Sequence, residues 1–427
     1  MRPLWAATAA AGPAFPELTS ELRTQVAVIG GGYTGLSAAL HLAELGRDSV
    51  LLEAVNVGER ASGLNGGQVI AGVKYDPDAL LSQFGSQLGP KVIDTVGNGP
   101  DLVFDLIGKH GIDCDAVRAG WIQPASSERE LLPIRARVEQ WRRRGADVEL
   151  LDRARTAALT GSTHYCGGWI DRRGGTVQPL SYVRGLARAA DRAGARIHVR
   201  SPAIRLSRSG SDWRIDSPRG SLTASTVILA TDAYTDRLVD PLRRSLVTVP
   251  SFQVATAPLP ATLRREILPQ GQSVSDTRRL LRYFRLDAGG RLLMGSRGAF
   301  NQRATPQSAR HLYEAVHQIY PQLEGIPFEY HWNGLVGITA DRLPHLHAIA
   351  PGLLAGLGYN GRGIAMATTL GRLLAKLAAG AAADEIGFPV TAIQPMALHR
   401  FAGLGARATM QYLKVRDRWD RARQGLR

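Results

Sequence analysis

Lysine is scarce in this chain. Only Lys74, Lys91, Lys109, Lys376 and Lys414 occur among 52 basic residues in 427. The rest are arginines, scattered except at 142–144 and in the tail 416–423. A formal charge of +15 invites a nucleic-acid reading, but no binding motif or basic stripe accompanies it, and nucleic acid is not expected as a partner. Cysteine is scarcer still. Cys114 and Cys166 stand alone, which gives no disulfide framework and no metal-ligand spacing. No metal site is expected, and a reduced cytoplasmic compartment is the default. Long apolar runs are missing too: none approaches the roughly 18 residues that span a bilayer. The opening stretch 1–11 lacks a solid core of Leu, Ile or Val and reads as an arm rather than a signal peptide. No internal repeat or low-complexity tract is present.

The composition that remains is ordinary for a globular enzyme, 44% hydrophobic and 21% charged, on a chain long enough for two or three domains. Its most telling stretch is 26–40, followed by 50–53. Apolar Val26–Ile29 reads as a strand, Gly30, Gly32 and Gly35 supply a G-x-G-x-x-G turn, and Tyr33 and Thr34 open a helix. In such a unit the first glycine allows the tight turn, the second clears space for a pyrophosphate, and the third lets helix and strand approach. Bare amides at the helix N-terminus then face the phosphates. Glu53 lies 18 residues beyond Gly35, where a carboxylate can accept from a ribose. Strand, turn, helix and acid together point to an adenine dinucleotide.

The pattern predicts helices over 90–111, 127–144, 178–194 and 306–320, and strands at 120–124, 195–199, 252–256, 280–285 and 291–295. It also predicts a hairpin from 213–216 and 221–224, and a separate buried strand beginning at 226. Gly-rich turns recur at 58–68 and 356–363, each suited to close backbone approach to a flat ligand.

Several pieces match a known family: 30–40, 61–68, 228–235, 251–256, 341–345 and 358–363. Over nearly its whole length the chain resembles the D-amino-acid-oxidase-like flavoproteins of the glycine and sarcosine oxidase type, and most of all the gamma-glutamylputrescine oxidoreductase branch. The resemblance implies an α/β fold, with a Rossmann-type FAD-binding domain and an antiparallel-sheet substrate domain. It implies a discontinuous FAD domain of 20–75, 160–240 and 335–385, a substrate domain of 76–159 and 241–334, and a tail, 386–427, packing on the FAD domain. Gly30, Gly32, Tyr33, Thr34, Gly35 and Glu53 would hold the ADP part, and Ala203 would meet the adenine side. Ala230 and Thr231 would line the cofactor. Ala61, Ser62, Asn65, Gly66, Gly67 and Gln68 would sit near the isoalloxazine. Gly358, Asn360, Gly361, Arg362 and Gly363 would present donors to its pyrimidine end.

Three departures shape the functional expectation. Leu64 stands where the branch usually has Arg. Loop 61–68 has no His and 337–340 no Cys, so the FAD is expected to be non-covalent. Val336 occupies the position from which glycine-oxidase-like members grip a substrate carboxylate with Arg. The implied activity is oxidation of a primary or secondary amine, gamma-glutamylputrescine-like or otherwise N-substituted. Hydride would pass to flavin N5, and the imine would hydrolyse to an aldehyde or ketone and an amine. Two alternatives stay open: a D-amino acid or N-alkyl amino acid dehydrogenase delivering electrons to a quinone, and a non-catalytic flavin-binding subunit of a larger oxidase. Oxygen or a quinone would be the acceptor. Some relatives carry a lysine on the strand corresponding to 291–296. Here that position is apolar, at Leu293, so slow reoxidation by oxygen is expected. Oligomeric state stays open. No catalytic residue is assigned. Tyr283, Arg285, His331, Trp332 and Tyr359 are candidates to line the substrate pocket. For each there is a structural alternative: Tyr283 and Trp332 as core aromatics, Arg285 as a strand charge, His331 as a hydrogen-bonded strand histidine.

Overall fold

The computed structural model describes residues 3–297 and 305–397, with scattered positions from 399 to 416 beyond them. Two large sheets organise these residues, with a two-stranded ribbon of Gln68–Val69 and Gly175–Thr176 beside them. At the centre of the first, Glu21–Ile29 runs parallel to Ser49–Leu52 on one side and to Gly220–Leu229 on the other. Arg196–His198 and Leu353–Leu357 extend the parallel set outward. His345–Ala350 then pairs antiparallel to Leu353–Leu357, and Val390–Thr391 parallel to His345–Ala350. The central strands are apolar at successive positions because both faces are covered. Val26, Val28 and Leu51 point to the core shared with helices Tyr33–Glu44, Pro179–Arg192 and Gly363–Ala378. Ala27, Ile29, Val50 and Leu52 point the other way, toward Trp213 and Ile215.

The second sheet runs Phe328–Thr339, Leu246–Pro258, Arg291–Arg297, Tyr283–Leu286, Ser273–Ser275, Trp121–Ala125, Gly167–Asp171 and Val148–Leu151. Every pair is antiparallel except Ser273–Ser275 with Trp121–Ala125, which is parallel. Period-two alternation sorts its side chains. Phe252, Val254, Phe284, Leu292 and Met294 pack under helix Pro306–Ile319. Ala255, Leu293 and Trp332 face back toward the first unit.

Three local expectations change. The helix over 90–111 is two helices, Pro77–Gly97 and Gly99–His110, parted at Asn98. Pro100 sits in the first turn of the second, where its missing N–H costs nothing, so it starts a helix instead of continuing one. The second arm of the 213–224 hairpin and the buried strand from 226 are one strand, Gly220–Leu229: its first half pairs with Asp212–Ser217, its second with Leu353–Leu357, and Glu21–Ile29 lies along the whole. The strand over 280–285 begins only at Tyr283, because Asp276 Oδ1 accepts the Arg282 N–H at 2.8 Å and holds the preceding residues in a turn. In the N-terminal arm a short helix, Leu4–Thr8, buries Leu4 and Trp5. Among the described residues no helix is long and apolar enough to cross a membrane, and no group of His, Cys, Asp or Glu could hold a metal ion.

Candidate functional site

A cavity of about 490 Å³ opens between the two sheets. At one end the glycine turn leaves Glu21–Ile29 and enters helix Tyr33–Glu44, whose N-cap is Gly32 with no side-chain cap. Gly35 cannot be replaced without movement, since a Cβ there would lie 1.9 Å from the Gly30 carbonyl oxygen. Glu53 ends the neighbouring strand and divides its carboxylate, with Oε2 accepting from Gly31 N–H at 2.6 Å and Oε1 from Val55 N–H at 2.9 Å. Gly30, Gly32, Tyr33, Thr34, Glu53, Ala203, Ala230 and Thr231 all lie on the cavity wall, while Gly35 packs behind it.

The loop 61–68 forms a second stretch of wall through Ala61, Ser62, Asn65, Gly66 and Gln68. Its shape is held from several directions. Ser62 Oγ accepts the Tyr33 N–H at 3.1 Å, and the Tyr33 hydroxyl donates to the Ser62 carbonyl at 2.6 Å. Asn65 braces the loop itself, donating to the Ser62 carbonyl at 2.8 Å and accepting from Gly67 N–H at 2.9 Å. Gln68 ties the loop to the second sheet, donating to the Val274 carbonyl at 2.9 Å and accepting from Ser275 Oγ at 2.8 Å. Gly67, at φ +69°, lies behind the wall against Arg285; a Cβ there would fall 2.3 Å from the Val177 carbonyl oxygen and 2.5 Å from Arg285 Nη2.

That contact explains Arg285. Its guanidinium is buried, donates to the carbonyls of Gly66 at 2.9 Å and Val177 at 2.7 Å, and lies over the Trp5 ring. Burial pulls its pKa down to about 10. Trp332 stands edge-on to the same Trp5 and donates its indole N–H to the Leu64 carbonyl at 3.0 Å. The cavity wall therefore excludes Arg285 and Trp332, and His331 as well. His331 is buried, and burial lowers its pKa.

The turn 358–363 supplies a third stretch, with Tyr359, Asn360, Gly361, Arg362 and Gly363 on the wall and Gly358 just behind. Asn360, at φ +53°, spends its amide on the turn: Oδ1 accepts from Thr339 N–H at 3.1 Å, and Nδ2 donates to Thr339 Oγ1 at 3.0 Å. The Tyr359 hydroxyl bonds Thr34 Oγ1 and the Gly356 carbonyl. Asp232 accepts the Gly358 N–H at 2.7 Å, and burial raises its carboxyl above the usual range.

A family model described as "FAD dependent oxidoreductase" (DAO) matches residues 25–377. The chain belongs to the DAO family of FAD-dependent oxidoreductases. It is 34% identical over 372 residues to the probable oxidoreductase OrdL of Rhizobium meliloti, covering 86% of each chain. It is 32% identical over 378 residues to the gamma-glutamylputrescine oxidoreductase of Escherichia coli, covering 88% of each. Among solved structures, glycine oxidase from Geobacillus kaustophilus superposes with a TM-score of 0.71 at 25% identity, over 84% of this chain and 95% of that one. The cofactor is FAD, and the residues present fit it. A helix N-terminus whose own N-cap is a glycine meets a turn in which a Cβ at Gly30 would strike the Ala230 carbonyl oxygen at 2.7 Å. Beside the flavin loop, Gln253 Oε1 is buried with no hydrogen-bond partner among the described residues, an acceptor that an N–H of a bound group would satisfy.

Of the five substrate candidates, Tyr283 and Tyr359 reach the cavity. The Tyr283 ring fills the space left by two glycines, since a Cβ at Gly295 would lie 2.1 Å from it and one at Gly66 2.7 Å. Its hydroxyl bonds Ser251 Oγ at 2.8 Å. The wall also includes residues that the sequence did not single out for it: Lys74, Trp121, Gln123, Asp232, Gln253, Asp276 and Arg297. Lys74 is an exposed residue of the cavity wall. Enough protein surrounds its amine that desolvation, then the charges of Arg362, Arg297, Arg342 and Arg137, push it down to about 7. Its signal was its rarity, a lone lysine six residues beyond a flavin-loop motif.

Proposed function

We propose that this enzyme oxidises a primary or secondary amine, gamma-glutamylputrescine-like or otherwise N-substituted, to an imine that water splits into an aldehyde or ketone and an amine. The observation that carries this is Val336. It lies on the cavity wall, on Phe328–Thr339 opposite Val249, where an arginine would grip a carboxylate next to the reacting carbon. The likeness to the gamma-glutamylputrescine oxidoreductase over 88% of the chain supports the same substrate class.

Bound FAD supplies the hydride acceptor. Gly30, Gly32, Tyr33 and Glu53 would hold its ADP part, loop 61–68 and turn 358–363 its flavin part. Among the described residues the wall carries neither Cys nor His, which supports non-covalent attachment. The chain's own contribution to the chemistry is to bind, orient and desolvate the neutral amine against Tyr283 and its neighbours. No strong base is required. Leu293, apolar and buried on Arg291–Arg297, supports a quinone or artificial acceptor over oxygen, and stopped-flow reoxidation by oxygen as fast as in a proficient oxidase would contradict that part. The reading assigns 20–75, 160–240 and 335–385 to the cofactor and 76–159 and 241–334 to the substrate, with Gly167–Asp171 as the piece of the middle cofactor segment that crosses into the second sheet.

The test is a steady-state comparison of amines with glycine and D-alanine, using an artificial acceptor. A missing bidentate carboxylate pair costs more than the 1.4 kcal/mol of a tenfold ratio, so amines should lead by at least about tenfold in kcat/KM. Val336→Arg should shift preference toward the amino acids. Efficient turnover of glycine or D-alanine by the natural enzyme would overturn the reading.

A further inference from the structure

The cavity wall carries two cations whose side chains have no partner among the described residues. Lys74 and Arg297 both line it. Among the described residues neither side chain makes an ion pair or a hydrogen bond, and the segment 298–304 that follows Arg297 contains no acid. Their cationic neighbours differ. Arg137 is paired with Asp76 and Gln123. Arg362 donates to the Ala71 carbonyl and lies over the Trp121 ring. Arg297 is half-buried and Lys74 is exposed on the same wall; a wall that keeps two such cations without partners suits a ligand that brings the opposite charge.

We propose that Lys74 and Arg297 form a subsite for an anionic group, a carboxylate on the tail of the amine substrate. The inference rests on the amine-oxidation reading and names the substrate class within it: amines whose carboxylate lies several atoms from the oxidised carbon. The pyrophosphate of FAD is not the anion in question, because its cradle is the Gly30–Gly32 turn on the first sheet, whereas Arg297 ends a strand of the second. The register sets the scale. Val336 pairs with Val249, and two residues along that strand Ser251 pairs with Arg297 on the far side. Two strand spacings across and two residues along separate the backbones of Val336 and Arg297 by roughly 12 Å. A carboxylate held here is remote from the position at which α-amino acids are gripped. Arg362 sits on the same wall and adds to the potential, while Val336 removes the near grip.

The test uses the FAD-loaded enzyme with 6-aminohexanoate against hexylamine, and hexanoate as a ligand without an amine. The natural enzyme should prefer 6-aminohexanoate by at least about tenfold in kcat/KM, the size of one charge-assisted contact. In Lys74→Met and in Arg297→Met that preference should fall toward one, through KM more than kcat, while Lys74→Arg and Arg297→Lys should keep most of it. Hexanoate binding, followed by calorimetry, should weaken in the same two methionine variants. Flavin absorbance at natural occupancy confirms that each variant is folded. No preference in the natural enzyme, or hexanoate binding indifferent to both substitutions, overturns the subsite. If no amine reduces the flavin but hexanoate binding still depends on Lys74 and Arg297, the oxidation reading has failed and the anion subsite stands.

Discussion

Glu53 and Arg285 show two ways in which a charged side chain shapes the cavity, one from its wall and one from behind it. Glu53 lies on the wall with Oε2 on the Gly31 N–H of the dinucleotide turn and Oε1 on the Val55 N–H just after its own strand. Replacing it with alanine should remove a charge-assisted hydrogen bond to FAD and loosen the turn, costing about 1.5–3 kcal/mol of FAD affinity. Fluorescence titration of the apoprotein with FAD reads this directly, and unchanged affinity would contradict the assignment. Arg285 acts from behind, holding the carbonyls of Gly66 and Val177. Arg285→Met strands two carbonyls, each worth about 1–3 kcal/mol if left unpaired. The expected result is a clear fall in the melting temperature of the holoenzyme and weaker FAD retention. A raised KM with an unchanged melting temperature would instead place Arg285 at the substrate. The sequence pointed to the neighbourhood of Arg285 and Trp332 but not to their direction. Alternation along a strand tells which residues share a face, whereas the partner of that face, here Trp5 of the N-terminal arm, comes from far away in the chain.

Among elements, the strand–turn–helix of 26–44 was the most legible, because its signals are local: an apolar run, three glycines and an acid on the next strand. Its tightness gives a sharp prediction. Gly35→Ala places a methyl 1.9 Å from the Gly30 carbonyl oxygen, and the helix must shift. Overpacking of this kind costs about 1–3 kcal/mol or more, and here it also moves the amides that face the phosphates. The purified variant should carry little FAD and melt lower. Full flavin content at natural stability would show that the turn is looser than described. Less local elements were less legible. Ser273–Ser275 is three residues long, too short for alternation to register, and it enters its sheet through the single parallel pair with Trp121–Ala125. Gly220–Leu229 looked like two elements because one half is exposed to hairpin pairing and the other buried between parallel neighbours.

In the whole molecule, segments from distant parts of the sequence meet the second sheet around one cavity. A cofactor held there would be a structural tie as well as a reagent. A ligand that binds only the folded state stabilises it by about 2.7 kcal/mol at a hundredfold excess over Kd, so the melting temperature should rise with added FAD until the site saturates. Acid precipitation should release the yellow colour into the supernatant, since no Cys or His lines the cavity among the described residues; colour kept in the pellet would mean a covalent link. This scale is also where the sequence was least informative about substrate. Glycine motifs marked the cofactor side one turn at a time. The opposite wall, with Lys74, Trp121, Gln123 and Arg297 from separated segments, exists only once the second sheet has closed. The central claim, oxidation of an amine by the bound flavin, is tested most directly by anaerobic titration of the holoenzyme with a panel of amines, including 6-aminohexanoate, while the flavin absorbance is followed. The account predicts bleaching to the reduced flavin by at least one such amine, with one equivalent of aldehyde or ketone formed per flavin. A flavin that stays oxidised with every amine and is bleached by glycine or D-alanine would contradict it.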